Sequence, residues 1–123
     1  MGKRKKILLV EDDEIVIEIL LKKLEAEGYD ITIARNGNEG MEEMRKEKQD
    51  LILLDMVMPE KGGMEVLEEI HSDEKLREIP VVIISNSGQE VELEKAKDLG
   101  IKDWLIKTEF DPKEVIAKVK KHI

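Results

Sequence analysis

The chain contains no cysteine. This excludes a disulfide framework, thiolate metal sites and thiol nucleophiles. Aromatic residues are almost absent, with one Trp, one Tyr and one Phe in 123 positions, so the stacking platforms that hold single-stranded nucleic acids are missing. Histidine occurs twice, as His71 and His122. Neither has a second ligand residue nearby in sequence, so both are expected on the surface rather than in a metal site. No apolar run approaches the roughly 20 residues needed to cross a bilayer. The basic start, Met1 to Lys6, is followed by only Ile7-Leu8-Leu9-Val10 before acids begin, which is too short for a signal-peptide core. The expectation is a cytoplasmic protein without membrane insertion.

What the chain has in excess is charge. Twenty-nine acids against 21 bases leave a net charge of −8. Nucleic-acid affinity rests largely on cation–phosphate contacts, so direct binding to DNA or RNA is not expected. Most of the charge reads as solvated helix surface. The length suits one domain with a core that needs no covalent staples. A single domain over residues 1–123, with no output domain, is expected.

Five short apolar segments alternate with five segments of helical character. The predicted strands are Lys6–Val10, Ile31–Ala34, Leu51–Leu54, Val81–Ser85 and Trp104–Ile106. The first, third and fourth contain continuous apolar runs, the mark of parallel strands covered on both faces. The second and fifth are more mixed, as edge strands are. The first helix is predicted from about Glu14 to Glu27, stopped by Gly28, with Val16, Ile19, Leu20 and Leu24 on its inner face. The second runs from about Asn38 to Lys48, the third from about Gly63 to Ser72, and the fourth from about Glu90 to Leu99, stopped by Gly100. The fourth has a small apolar face and is expected to be loosely held. The fifth opens with Asp111-Pro112-Lys113-Glu114, an N-cap acid followed by proline at the first helical position. Alternation of this kind predicts an α/β fold, a single (βα)5 doubly wound parallel sheet with right-handed crossovers.

Ligands of open parallel sheets bind beyond the carboxyl ends of the strands. The residues predicted there are Glu11, Asp12 and Asp13 after the first strand, Asp55 after the third, Ser85 ending the fourth and Lys107 after the fifth. Taken alone, Asp55 would merely end a strand and the acidic triplet would merely start a helix. Their convergence with a lysine favours chemistry. Clustered carboxylates repel, and a hard divalent cation such as Mg²⁺ offsets that repulsion through oxygen ligands. A carboxylate can attack phosphorus, and cations and donors stabilise the charge on the transferring group.

The segments Ile7-Leu-Leu-Val-Glu-Asp-Asp13, Leu51-Ile-Leu-Leu-Asp-Met-Val-Met-Pro59, Gly63, Ile79-Pro-Val-Val-Ile-Ile-Ser85 and Asp103-Trp-Leu-Ile-Lys107 together resemble the receiver domains of bacterial response regulators, over the whole chain. The resemblance implies a flavodoxin-like strand order 2-1-3-4-5. It implies Asp55 as the phosphoacceptor and as a contact of Mg²⁺. Asp12 is then the direct metal ligand, Glu11 acts mainly through water, and the Val57 carbonyl is a further ligand. Ser85 and Lys107 contact the phosphoryl oxygens. Ser85 and Trp104 form the switch that alters the surface of helix four, strand five and helix five. The implied partners are a histidine kinase or phosphotransfer protein upstream, and a target protein or a phosphorylation-dependent homodimer downstream. The implied function is that of a signalling switch in a two-component system rather than a turnover enzyme.

Four positions depart from the family's pattern. Thr108 stands where proline usually follows the lysine. A cis bond before a non-proline residue costs about 2.5–4 kcal/mol, so the Lys107–Thr108 bond is expected to be trans. Asn86 replaces a small residue beside Ser85, and Gly62 replaces a frequent aspartate. Val57 stands where some relatives carry an amide or acid that holds the attacking water, which predicts slow autodephosphorylation. A DxD-type hydrolase would place its acids two apart after strand one, where this chain has contiguous ones. A flavodoxin would place a hydroxyl- and glycine-rich loop there. The remaining alternative is a receiver-shaped interaction module that works without phosphorylation, a consensus or designed sequence included.

Overall fold

The three continuous apolar runs become the three central strands. The computed structural model describes residues 4–58, 60–85, 90–106 and 111–123, and side chains at all of these except 85 and 90–92. Strand β1 spans Lys6–Val10, β2 Asp30–Ala34, β3 Leu51–Asp55, β4 Val81–Ser85 and β5 Asp103–Ile106. They form one sheet in the order 2-1-3-4-5, and every pairing is parallel. Helix α1 spans Glu14–Ala26, α2 Gly37–Lys46, α3 Gly63–Ser72, α4 Glu90–Asp98 and α5 Pro112–His122. A short 3₁₀ turn, Leu76–Glu78, precedes β4.

Side chains alternate across a strand, and here each face meets helices. Leu8, Val10, Ile52 and Leu54 pack with Met41, Met44, Val66, Leu67, Ile70 and Ala96 from α2, α3 and α4. Ile7, Leu9, Leu51 and Leu53 pack with Ile17, Leu20, Leu24, Val115 and Val119 from α1 and α5. Burial on both faces is why the strand sequences show no alternation. Each completely buried Leu or Ile contributes about 1.5–3 kcal/mol relative to exposure. The edge strands β2 and β5 are only partly buried, as their mixed composition predicted.

The helix ends follow their signals. Gly28 and Gly100 adopt φ of 92° and 87°, the left-handed stop that glycine takes without strain. Asp111 caps α5 by accepting the Lys113 N–H at 2.9 Å. Three expectations need correction. On α1 the buried residue is Ile17, whereas Ile19 is substantially exposed. The stretch Ile15–Leu21 is apolar at six of seven positions, so periodicity alone could not select the face. The ends of α1, α2 and α4 and the starts of β2 and β5 shift by one or two residues, the usual slack at element boundaries. His122 is not exposed: its Nε2 lies 3.2 Å from Asp103 Oδ2 and its side chain is largely covered.

Candidate functional site

The register of the central strands decides what meets at their carboxyl ends. Val10 pairs with Leu54 and Asp55 pairs with Ile84, so the acids following β1 stand beside the last residue of β3. The Glu11 N–H extends the ladder by donating to the Ala34 carbonyl at 2.9 Å. The Glu11 side chain is 0% exposed, and its Oε1 accepts the Asp13 N–H at 3.1 Å. Asp13 is the N-cap of α1, accepting from Ile15 N–H at 2.9 Å and Val16 N–H at 3.4 Å. With its neighbours held on both sides, Asp12 projects into solvent.

Asp55 belongs to β3 itself, as its final residue. It is 0% exposed, and its Oδ1 accepts the Val57 N–H at 3.2 Å. Its backbone is clamped from below by α3. The Gly63 N–H donates to the Met56 carbonyl at 3.1 Å. A β-carbon on Gly63 would stand 2.6 Å from the Asp55 carbonyl oxygen, closer than any side chain tolerates, so glycine is required there. Between Asp55 and Gly63 the chain turns through Glu60, at a φ of 65°. For a residue with a β-carbon this conformation costs roughly 1–2 kcal/mol. Strain of that kind collects where a loop is held for function.

Glu11, Asp12 and Asp55 each offer a carboxylate oxygen, all within 4.8 Å of one another. The arrangement fits a small hard cation. Mg²⁺ binds oxygens at about 2.0–2.1 Å in octahedral geometry, so opposing ligands lie about 4 Å apart, and the remaining positions stay with water. Two buried acids and one exposed acid give a site closed beneath and open to solvent above. The Val57 side chain, 64% exposed, stands beside it.

Among the sequence-predicted site residues, the structure thus brings Glu11, Asp12, Asp55 and Val57 together. Trp104 lies apart on β5, partly buried against the α2–α4 core layer, with the Lys97 ammonium 4.8 Å from its ring centroid. The expectations for Lys107, Thr108, Asn86 and the Ser85 hydroxyl lie outside the described residues. Sequence reasoning missed Gly37 and Lys61, which hold the loop after Asp55 from the α2 side. The Gly37 signal was there in part, since Asn36-Gly37 opens a helix, but nothing local names Lys61 as its neighbour.

Comparison with known proteins agrees with this architecture. The family model of the response regulator receiver domain matches residues 7–120. The alkaline phosphatase synthesis transcriptional regulatory protein PhoP of Bacillus subtilis (strain 168) is 34% identical over 116 residues, which cover 94% of this chain and 47% of PhoP. The chain therefore spans about half the length of that relative. The phosphorylated cyanobacterial phytochrome response regulator RcpA superposes with a TM-score of 0.84 at 34% identity, covering 97% of this chain and 91% of that one. Vibrio cholerae chemotaxis protein CheY4 shares the fold, with a TM-score of 0.91 at 21% identity over 98% of this chain and all of that one. The 2-1-3-4-5 sheet is flavodoxin-like, and the family match makes the domain one of the signalling switch class. This chain belongs to the response regulator receiver domain family of two-component systems.

Proposed function

We propose that Asp55 accepts a phosphoryl group in a Mg²⁺-dependent reaction and that the resulting charge switches the surface of α4, β5 and α5. The observation that carries this is the buried Asp55 carboxyl at the end of the central strand, with Glu11 and Asp12 oxygens within 4.8 Å. RcpA, 34% identical, was crystallised as a phosphorylated protein, which supports carrying the chemistry over.

In this reading a carboxylate oxygen of Asp55 attacks phosphorus. The P–N bond of a phosphohistidine donor breaks, and the electron pair leaves on the imidazole, which takes up a proton. Asp12 and Asp55 would hold the metal directly, Glu11 would act mainly through water, and the Val57 carbonyl would complete the protein's share. When bound, Mg²⁺ supplies positive charge against the phosphoryl oxygens and the acids. The Val57 N–H fixes one Asp55 oxygen, which limits the rotation the nucleophile must give up before attack. Ser85 and Lys107 are assigned to the phosphoryl oxygens. Phosphorylation then draws Ser85 inward, and Trp104 follows into the space beneath.

The donor is a histidine kinase or a phosphotransfer protein, and the switched surface meets a target protein or a second copy of the chain, in the cytoplasm. The net charge of −8 keeps the domain itself off nucleic acid. Calorimetric titration with Mg²⁺ tests the metal half of the proposal. Saturable binding in the wild type, lost in Asp12→Asn, is expected. Binding that survives in Asp12→Asn would reject the assignment of this site.

A further inference from the structure

Glu69 stands on α3, outside the acidic group at the carboxyl rim, and it faces two cations. Its Oε1 meets the Lys61 ammonium, and its Oε2 lies 3.6 Å from Arg45 Nη2. The two contacts differ in weight. Arg45 is 61% exposed, and an exposed pair at that separation contributes little once water and salt screen it. Lys61 is 19% exposed, so water competes less for its ammonium and the attraction is stronger.

Lys61 is also where the loop after Asp55 is fastened. That loop runs from Met56 to Gly62, between β3 and α3. Its base is closed by the Gly63 N–H, which donates to the Met56 carbonyl at 3.1 Å. Farther along stands Glu60, whose φ of 65° is strained for a residue with a β-carbon. Such a conformation persists only where its surroundings over-determine it. The next residue, Lys61, supplies three holds. Its carbonyl accepts the Gly37 N–H at 3.2 Å. Its stem lies over Gly37, where an added β-carbon would stand 2.7 Å from Cγ. Its ammonium reaches Glu69. The first two tie the loop to α2, and the third ties it to α3. The same loop carries Val57, whose N–H donates to Asp55 Oδ1 at 3.2 Å. A carboxylate on α3 is thereby connected to the geometry of the rim through Lys61, the loop and Asp55 in turn.

We propose, on the Mg²⁺ reading of the acidic site, that Glu69 is a positioning residue: by holding Lys61 it keeps the loop after Asp55 in the shape that binds the metal. Charge alone gives the opposite sign for Lys61. Removing a cation from the surroundings of an acidic site strengthens Mg²⁺ binding if only the field matters. Removing the ammonium that fastens the loop weakens it.

Mg²⁺ calorimetry on the full chain compares the wild type, Lys61→Met, Glu69→Gln and the double variant. Methionine keeps an unbranched stem over Gly37 and deletes the ammonium. Amide hydrogen exchange at Gly37 and Val57 is followed in the same four proteins without metal. Each single variant should lower Mg²⁺ affinity about two- to fivefold, the factor that corresponds to one partly covered ion pair, and should speed exchange at both amides. The double variant should bind no more weakly than either single one, because the same pair is broken. Unchanged or tighter binding in Lys61→Met would overturn the positioning role, and so would losses that multiply in the double variant. A folded wild type that binds no Mg²⁺ would overturn the metal reading, and this assignment with it. Binding in the wild type that neither variant alters would overturn the positioning role alone. Either variant breaks the pair, so one that fails to fold leaves the other to decide.

Discussion

Gly37 and Lys61 touch through bare backbone. The Gly37 N–H donates to the Lys61 carbonyl at 3.2 Å, and a β-carbon on Gly37 would lie 2.5 Å from that oxygen. Lys61 is also tied by its ammonium to Glu69 of α3. The loop that follows Asp55 is thus docked onto the first residue of α2 and onto α3 at once. Gly37→Ala should cost about 1–3 kcal/mol, as overpacking does. By displacing the loop that carries the Val57 carbonyl, it should also weaken Mg²⁺ binding. Gly28→Ala is the control. Its φ of 92° makes alanine strained, but among the described residues nothing lies within 4 Å of the added β-carbon, so it should lower stability and leave Mg²⁺ affinity alone. Thermal unfolding and Mg²⁺ calorimetry separate the two effects, and equal Mg²⁺ affinities in both variants would refute the docking role.

Val57 is exposed beside the acids, so a side chain placed there can reach water above the site. Val57→Asn should shorten the lifetime of phosphorylated Asp55 by supplying a group that holds the attacking water. The decay of the phosphorylated species after removal of the donor reads this directly. An unchanged or longer lifetime would contradict it.

Asp103 joins β5 to α5. Its carboxylate meets the Lys118 ammonium at 2.5 Å and His122 Nε2 at 3.2 Å, and accepts the Trp104 N–H at 2.9 Å. Burial pushes its pKa up, but hydrogen bonds from Lys118, His122 and the Trp104 N–H together outweigh burial and hold it below the ordinary value of 3.8. A carboxyl depressed in the folded state contributes stability above the unfolded value, and that contribution is lost as pH falls through the folded one. The stability advantage of the wild type over Asp103→Asn should therefore be complete at about pH 6 and shrink below about pH 4. Melting curves of the two proteins across that range check it; a gap that widens in acid would contradict it.

Trp104 is the sole tryptophan, and Lys97 of α4 sits 4.8 Å over its ring. Lys97→Gln should cost no more than about 1 kcal/mol, the scale of an exposed cation–π contact. It should change the Trp104 emission spectrum, because a charge 4.8 Å from the ring centroid is gone. An identical spectrum would mean that Lys97 does not rest there in solution.

The fold was largely legible in the sequence because its signals are local. Continuous apolar runs marked the central strands, and Gly28, Gly100 and Asp111-Pro112 marked helix ends. The acidic site was legible for a topological reason: parallel strands deliver their carboxyl ends to one rim, so Glu11, Asp12 and Asp55 had to approach each other. What escaped was contact between distant segments. The burial of Ile17 rather than Ile19 depends on how α1 leans on the sheet. The pairing of His122 with Asp103 joins residues 19 apart, and the glycine notch at Gly37 matters only because Lys61 comes to rest against it.

The central claim is a covalent one, that phosphorus joins Asp55 with the help of a metal. Intact mass after incubation with acetyl phosphate, with and without Mg²⁺, in the wild type and in Asp55→Asn, tests it most directly. One added phosphoryl group in the wild type with Mg²⁺, and none in the other three samples, is the predicted result. A folded wild type that gains no phosphoryl group with Mg²⁺, or an Asp55→Asn protein that gains one, would contradict the account. The first outcome would turn attention to a receiver that works through its surface alone.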